Sequence, residues 1–233
     1  MKKYLKEKLD FFKTTNDGSL AEKDFKKIFS YYALGVPSVF GFSVSILRNT
    51  ALTHKERWCL SYLGGTSGLL DDFFYDPDKN AARLKNFVER PESMLPANTS
   101  EGLLQFLYIN GLKHSEKPSE IKKAALEVYQ AQEESLQQKS SVCSKSFLKA
   151  VTWKKGGNAF LYYRAGLDFP VEEEEKKLFY QLGGLLQLGN DIFDVWEDTR
   201  NGWQTLPSTA DSILELQMFF EKELKKIFKL TAR

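Results

Sequence analysis

Gly184-Leu185-Leu186-Gln187-Leu188-Gly189-Asn190-Asp191-Ile192-Phe193-Asp194-Val195-Trp196-Glu197-Asp198 sets three oxygen-bearing side chains four residues apart in a largely apolar run. An α-helix turns by about 100° per residue, so Asn190, Asp194 and Asp198 drift by only about 80° and share one face. Aliphatic residues lie upstream, and Ile192, Phe193, Val195 and Trp196 are interleaved with these three, which makes a plain solvated acidic face a poor explanation. Three hard oxygen donors along two helical turns are what magnesium accepts, with waters and substrate phosphates completing its octahedron. Asp191 and Glu197 lie off this line and read as groups that orient the ligands or pair along the helix.

Outward from this stretch the helical period continues. Phe25, Ile28, Phe29 and Tyr32 fall at the spacing of an amphipathic stripe, as do Leu103, Leu104, Leu107 and Tyr108, and Ala124, Ala125, Val128 and Tyr129. Pro37, Pro77, Pro91, Pro96, Pro118 and Pro170 mark helix boundaries. Thr53, Ser119 and Ser208 read as N-caps, Ser208 with Asp211 at the capping-box spacing. No sustained strand-type alternation is present, and no repeat or Gly/Ser linker divides the chain. These patterns predict a single all-α domain over residues 1–233, a bundle of about eight to ten helices.

The totals exclude several classes of function. Hydrophobic residues make up 42% of the 233 and aromatics 14%, which argues for a folded globule. Net charge is +2 with both signs intermixed, so no nucleic-acid partner is expected. The lysine-rich start (Lys2, Lys3, Lys6, Lys8) and end (Lys222, Lys225, Lys226, Lys229) read as solvated helix faces, allowing peripheral membrane contact at most. Two cysteines, Cys59 and Cys143, give neither a disulfide framework nor a zinc pattern and suit a reducing cytoplasm. No signal-peptide pattern opens the chain. The apolar stretch Tyr31 to Leu47 contains Gly35, Pro37 and Gly41 and reads as a buried, kinked helix pair of a soluble, cytoplasmic protein.

A second acidic cluster lies in Gly68-Leu69-Leu70-Asp71-Asp72-Phe73-Phe74-Tyr75-Asp76. Asp72 and Asp76 are one helical turn apart on one face, where like charges repel unless a cation or basic partner intervenes. The plainer reading is an acidic helix end running into Pro77. Taken with the first cluster, the pair suggests magnesium ions clamping one diphosphate and improving it as a leaving group. An allylic donor would then ionise in a cavity lined by rings such as Phe73, Tyr162 or Trp196. Lys155 stands just before Gly156-Gly157, a pair expected to interrupt a helix and expose backbone donors for diphosphate oxygens. Arg48, Arg57, Arg83, Arg164 and Arg200 are further phosphate candidates.

Gln187, Asn190, Asp194, Glu197, Asp198, Arg200 and Gly202, followed by Leu206-Pro207, resemble the second aspartate-rich motif of squalene and phytoene synthases. Asp72 and Asp76 are similar to the shorter first motif of that family, 122 positions before Asp194. The strong part of the resemblance covers about twenty residues and places the chain near the class I isoprenoid synthases. Asn190-Asp191-Ile192-Phe193-Asp194 also resembles the second motif of chain-elongating prenyl diphosphate synthases, and Asn190, Asp194 and Asp198 the metal triad of terpene cyclases.

The resemblance implies an isoprenoid-synthase-like helical fold with a central apolar cavity. It also implies Mg2+ held by Asp72, Asp76, Asn190, Asp194 and Asp198, with Asp72, Asp76, Asp194 and Asp198 serving catalysis. Lys155 and Arg200 would bind the diphosphate of a small-molecule prenyl donor. Only about thirty residues follow the motif, which predicts a smaller or more open pocket, or closure by the partner subunit of a homodimer. The expected activity is prenyl transfer of the squalene/phytoene type. A terpene cyclase and a chain-elongating synthase are the alternatives within the superfamily, and a non-catalytic helical binder of an isoprenoid or a partner chain is the alternative outside it.

Overall fold

The computed structural model describes residues 2–75, 81–139 and 142–231, and no strand occurs among them. The protein is all-α, as the periodicity predicts. Its chain forms two compact units, Met1–Leu126 with Tyr163–Asp168, and Glu127–Tyr162 with Phe169–Arg233.

The first unit contains α1 (Lys2–Thr14), α2 (Glu22–Lys26), π-helical segments at Lys27–Ala33 and Pro37–Gly41, and α3 (Phe42–Leu47). It continues with α4 (His54–Tyr75), α5 (Ala81–Glu89), a 3-10 turn at Pro91–Ser93, α6 (Thr99–Lys113) and the start of α7 (Pro118–Ser135). Helix α4 is its axis. From Cys59 to Leu70 it is buried almost throughout, as expected of a helix that is apolar around its whole circumference. Leu103, Leu104, Leu107 and Tyr108 of α6 are buried, and a Cβ added at Gly65 would sit 3.2 Å from Leu107.

Thr53 caps α4 as its sequence position predicts: the Glu56 amide donates to Thr53 Oγ1 (3.1 Å) and the Thr53 amide to Glu56 Oε2 (2.7 Å). Glu56 is only 2% exposed and also receives both Nη groups of Arg48 at 2.8 Å. Burial alone would push this carboxyl up from its ordinary 4.5. The Arg48 fork and the Thr53 and Asp168 amides outweigh burial and hold it at about 2. A depressed acid stabilises the fold fully above its unfolded value and progressively less as pH falls through the folded one. The Glu56 contribution is therefore present above pH 4.5 and lost toward about 2. Glu56→Gln removes the carboxylate that both Arg48 Nη groups bond and should cost about 3 kcal/mol at neutral pH, the low end for breaking a buried pair. Urea denaturation at pH 7 and pH 3 checks this, with the gap between variant and wild type narrowing at the lower pH.

One apolar stretch departs from its expected burial. The uncharged run extends back to Ile28, and Glu22–Leu47 forms a helical run of 26 residues, long and apolar enough by length and composition to cross a membrane. Its π-helical turns accommodate Pro37, which has no amide to donate. Phe25, Ile28, Ala33, Pro37, Phe40, Gly41 and Val44 are buried as predicted. Tyr31, Val39, Phe42, Ile46 and Leu47 are instead exposed, which corrects the reading of a wholly buried pair. The run is apolar on all sides, but its neighbours cover only one of them.

The second unit holds the rest of α7, a 3-10 turn at Leu136–Lys139, most of α8 (Lys145–Ala165), α9 (Glu173–Phe193), α10 (Val195–Arg200) and α11 (Ile213–Thr231). Leu148, Trp153, Leu185, Leu188, Leu206 and Ile227 form its core, with Phe219, Phe220 and Leu224 packed against them. Buried Glu223 ties α11 to α8, accepting from Lys149 Nζ (2.8 Å) and Lys226 Nζ (2.7 Å). The cap before α11 is Ser212, which accepts from the Glu215 amide (3.1 Å), not Ser208. Ser208 is engaged instead with Thr205, whose amide it accepts at 2.8 Å.

The glycine pair after Lys155 does not break its helix, and α8 passes through it. A Cβ on Gly156 would lie 2.1 Å from the Gly183 carbonyl oxygen, and one on Gly183 would lie 2.3 Å from that of Gly156. A Cβ on Gly157 would lie 2.4 Å from the Tyr180 ring, and one on Gly184 would lie 2.6 Å from the Trp153 ring. Two glycine pairs thus face each other where α8 and α9 cross, and their bare backbones touch. Close packing outweighs the helix penalty of about 1 kcal/mol per glycine that made a break look natural.

Candidate metal and diphosphate site

Helix α9 ends at Phe193, and Asp194 (φ −93°, ψ 3°) forms its joint with α10. Helical hydrogen bonds pass through the joint, from Asp194 N to Asn190 O and from Asp198 N to Asp194 O, both 2.9 Å. Asn190 and Asp194 are exposed side by side, with Asn190 Nδ2 donating to Asp194 Oδ2 at 2.8 Å, and Asp198 is half-buried. Gly202 stops α10. At φ +75° it lets Trp203 N reach Asp198 O (2.8 Å) and its own amide reach Thr199 O (3.2 Å), the paired bonds of a Schellman end.

Asp191 points to the other side and is buried. Its Oδ2 accepts from Thr152 Oγ1 of α8 (3.1 Å) and its Oδ1 from Gln187 Nε2 (2.8 Å). Burial pushes its carboxyl up, opposed by the Gln187 bond, the Lys155 charge and the Thr152 bond. Partial burial also raises Asp198, to about 6, with the charges of Asp191 and Asp194 adding to the shift and Lys155 opposing it. Three aspartates and the half-buried Lys155 of α8 therefore share one electrostatic neighbourhood, which the α8–α9 crossing brings together.

The remaining candidates are distributed differently. Arg200 is exposed at the end of α10 and makes no ion pair among the described residues. Arg48 is engaged by Glu56, Arg83 by Glu101 (2.8 Å), and Arg57 by the Leu52 carbonyl (3.0 Å). Arg164 and Tyr162 are buried, whereas Trp196 is exposed. The backbone of Asp72 lies in the last turn of α4, while its side chain, that of Phe73 and the whole of Asp76 lie outside the described residues.

Among the described residues no group of three His, Cys, Asp or Glu side chains is gathered to hold a metal ion. The donor chemistry of Asn190, Asp194 and Asp198, one amide and two carboxylates, nevertheless fits magnesium, which keeps several waters and takes few protein oxygens. The electrostatics fit as well. Asn190, Asp191 and Asp194 cluster at the carboxyl end of α9, where the helix dipole is negative and the last turn has no basic residue. Asp72 occupies the same position on α4, whose last turn also lacks one.

Sequence reasoning missed Thr152 and gave Asp191 no defined partner. The usable signal was Gln187, four residues before Asp191 on α9 and able to reach it. The partner on α8 left no such trace, because the crossing that delivers it rests on glycines read as a break. No protein-family model matches the chain, and the search of curated proteins and of solved structures gave no match.

Proposed function

We propose that this protein is a magnesium-dependent enzyme that ionises an allylic prenyl diphosphate, of the squalene/phytoene synthase type and with an isoprenoid-synthase-like fold around an apolar cavity. The observation that carries this reading is the register of Gln187, Asn190, Asp194, Glu197, Asp198, Arg200 and Gly202, on a helix pair whose carboxylates have Lys155 as their cationic neighbour. Asn190, Asp194 and Asp198 would hold magnesium, and the resemblance assigns Asp72 and Asp76 the same role. Magnesium, when bound, neutralises the diphosphate and improves it as a leaving group.

The chain's own groups do the rest. Lys155 presents its ammonium to the diphosphate oxygens, with Arg200 as a second cation at the end of α10. Asp191, tied to α8 through Thr152, is a positioning residue that fixes the depth at which Lys155 meets the acidic face. Placement of Asn190, Asp191 and Asp194 at the carboxyl end of α9 supports the same reading, since that end gains from a bound cation.

Incubation with geranyl, farnesyl and geranylgeranyl diphosphate is the test, read by pyrophosphate release and by extraction of the apolar product. Release that requires magnesium and stops on chelation is expected. Absence of turnover with all three donors, in protein shown to be folded, would leave a non-catalytic helical binder. The extracted product distinguishes coupling, elongation and cyclisation.

A further inference from the structure

We propose that the outer face of the Glu22–Leu47 run docks the protein onto the surface of an anionic lipid bilayer. Tyr31, Val39, Phe42, Ile46 and Leu47 are 61–71% exposed, on a run with no charged residue from Ile28 to Leu47. Only hydroxyls interrupt it, and Ser45 already spends its own on the Phe42 carbonyl (2.7 Å).

The opposite face fixes how the run meets lipid. A Cβ on Gly64 of α4 would lie 2.5 Å from the Tyr32 carbonyl oxygen, and one on Gly41 would lie 2.7 Å from Leu52. The run is thus built into its unit along the inner side, and its length lies along a lipid surface instead of crossing the bilayer. That is the arrangement of an interfacial helix, apolar toward the acyl chains and held by cations at the headgroups.

The cations are present. Lys23 and Lys26 are exposed at the start of the run and make no ion pair among the described residues. Of the acids beside them, Glu22 is paired with Lys13 (2.6 Å), and Asp24, which accepts from the Ala21 amide (2.7 Å), is outnumbered by the two lysines. The potential at this end therefore favours lipid phosphates, and Tyr31 follows at headgroup depth. None of this rests on the diphosphate reading.

Flotation of the full chain with phosphatidylcholine vesicles, with and without about a third phosphatidylglycerol, tests the proposal. Binding to the anionic vesicles is expected, falling roughly tenfold or more in Phe42→Glu/Ile46→Glu and severalfold in Lys23→Glu/Lys26→Glu or at high salt. These positions are exposed, so circular dichroism should show the variants folded. Failure to float with anionic vesicles overturns the proposal, as does equal binding to neutral ones. Wild-type binding by Phe42→Glu/Ile46→Glu also overturns it. A dimer in light scattering that this variant dissociates, without vesicle binding, assigns the face to a second copy of the chain instead.

Discussion

Gly156→Ala is expected to destabilise the protein by about 2 kcal/mol or more, although alanine is the better helix former by about 1 kcal/mol. The two effects have opposite signs, and the geometry decides between them. The new methyl would lie 2.1 Å from the Gly183 carbonyl oxygen and 2.6 Å from Gln187 Cβ. Backbone stands on the other side of that contact, so no rotamer change relieves it, and the helices must separate. Separation strips contacts from Trp153, Leu185 and Leu188, which form the core beside the crossing. For a chain of this size the loss corresponds to a fall in Tm of about 4–8 °C. Gly189→Ala on α9 is the control. Nothing lies within 4 Å of its added Cβ, so the same change should raise stability by up to about 1 kcal/mol. Urea midpoints for the two variants, moving in opposite directions, would separate packing from propensity.

If the proposed function holds, Asp194→Ala is expected to lower prenyl diphosphate turnover by about 100- to 1000-fold, the scale of losing one preorganised electrostatic contact to the reacting charge. It should do so without loss of stability. Asp194 is exposed, its hydrogen bond from Asn190 lies in solvent, and its charge opposes the α9 dipole. Asp194 is also the N-cap of α10, whose dipole favours its charge, so the two dipoles oppose each other and removing it should be near neutral, within about 0.5 kcal/mol. Asp191→Ala gives the contrasting pattern, because it strands the Thr152 hydroxyl and the Gln187 amide in a buried place and should lose stability together with turnover. Magnesium titration of turnover, beside thermal unfolding, reads both outcomes. Wild-type turnover by a folded Asp194→Ala protein removes this residue from the ligand set.

The fold class was legible because helical period and caps are local properties. Phe25 and Ile28, or Leu103 and Leu107, announce a buried stripe wherever the helix ends up, and Thr53 with Glu56 announces a start. Two of the errors arise where a distant partner decides. Gly156-Gly157 looks like a break until Gly183-Gly184 is known to face it. Tyr31 to Leu47 looks buried because composition shows how apolar a run is, not how much of its circumference finds neighbours. Ser212 displaced Ser208 as a cap because Thr205 and Ser208 satisfy each other first. At the candidate site the spacing of Asn190, Asp194 and Asp198 was readable directly. The role of Asp191 depends on Thr152, thirty-nine positions earlier on another helix, and no periodicity reveals it.

The contact of bare backbones at Gly156 and Gly183 makes the crossing a fulcrum with almost no play. Asp194 stands eleven residues beyond Gly183, a lever arm of about 16 Å at the helical rise of about 1.5 Å per residue. A tilt of α9 by about 10° would swing that carboxylate by about 3 Å, more than the length of a magnesium–oxygen bond. On the proposed function, any substitution that wedges the crossing open should therefore weaken magnesium affinity well before it unfolds the chain.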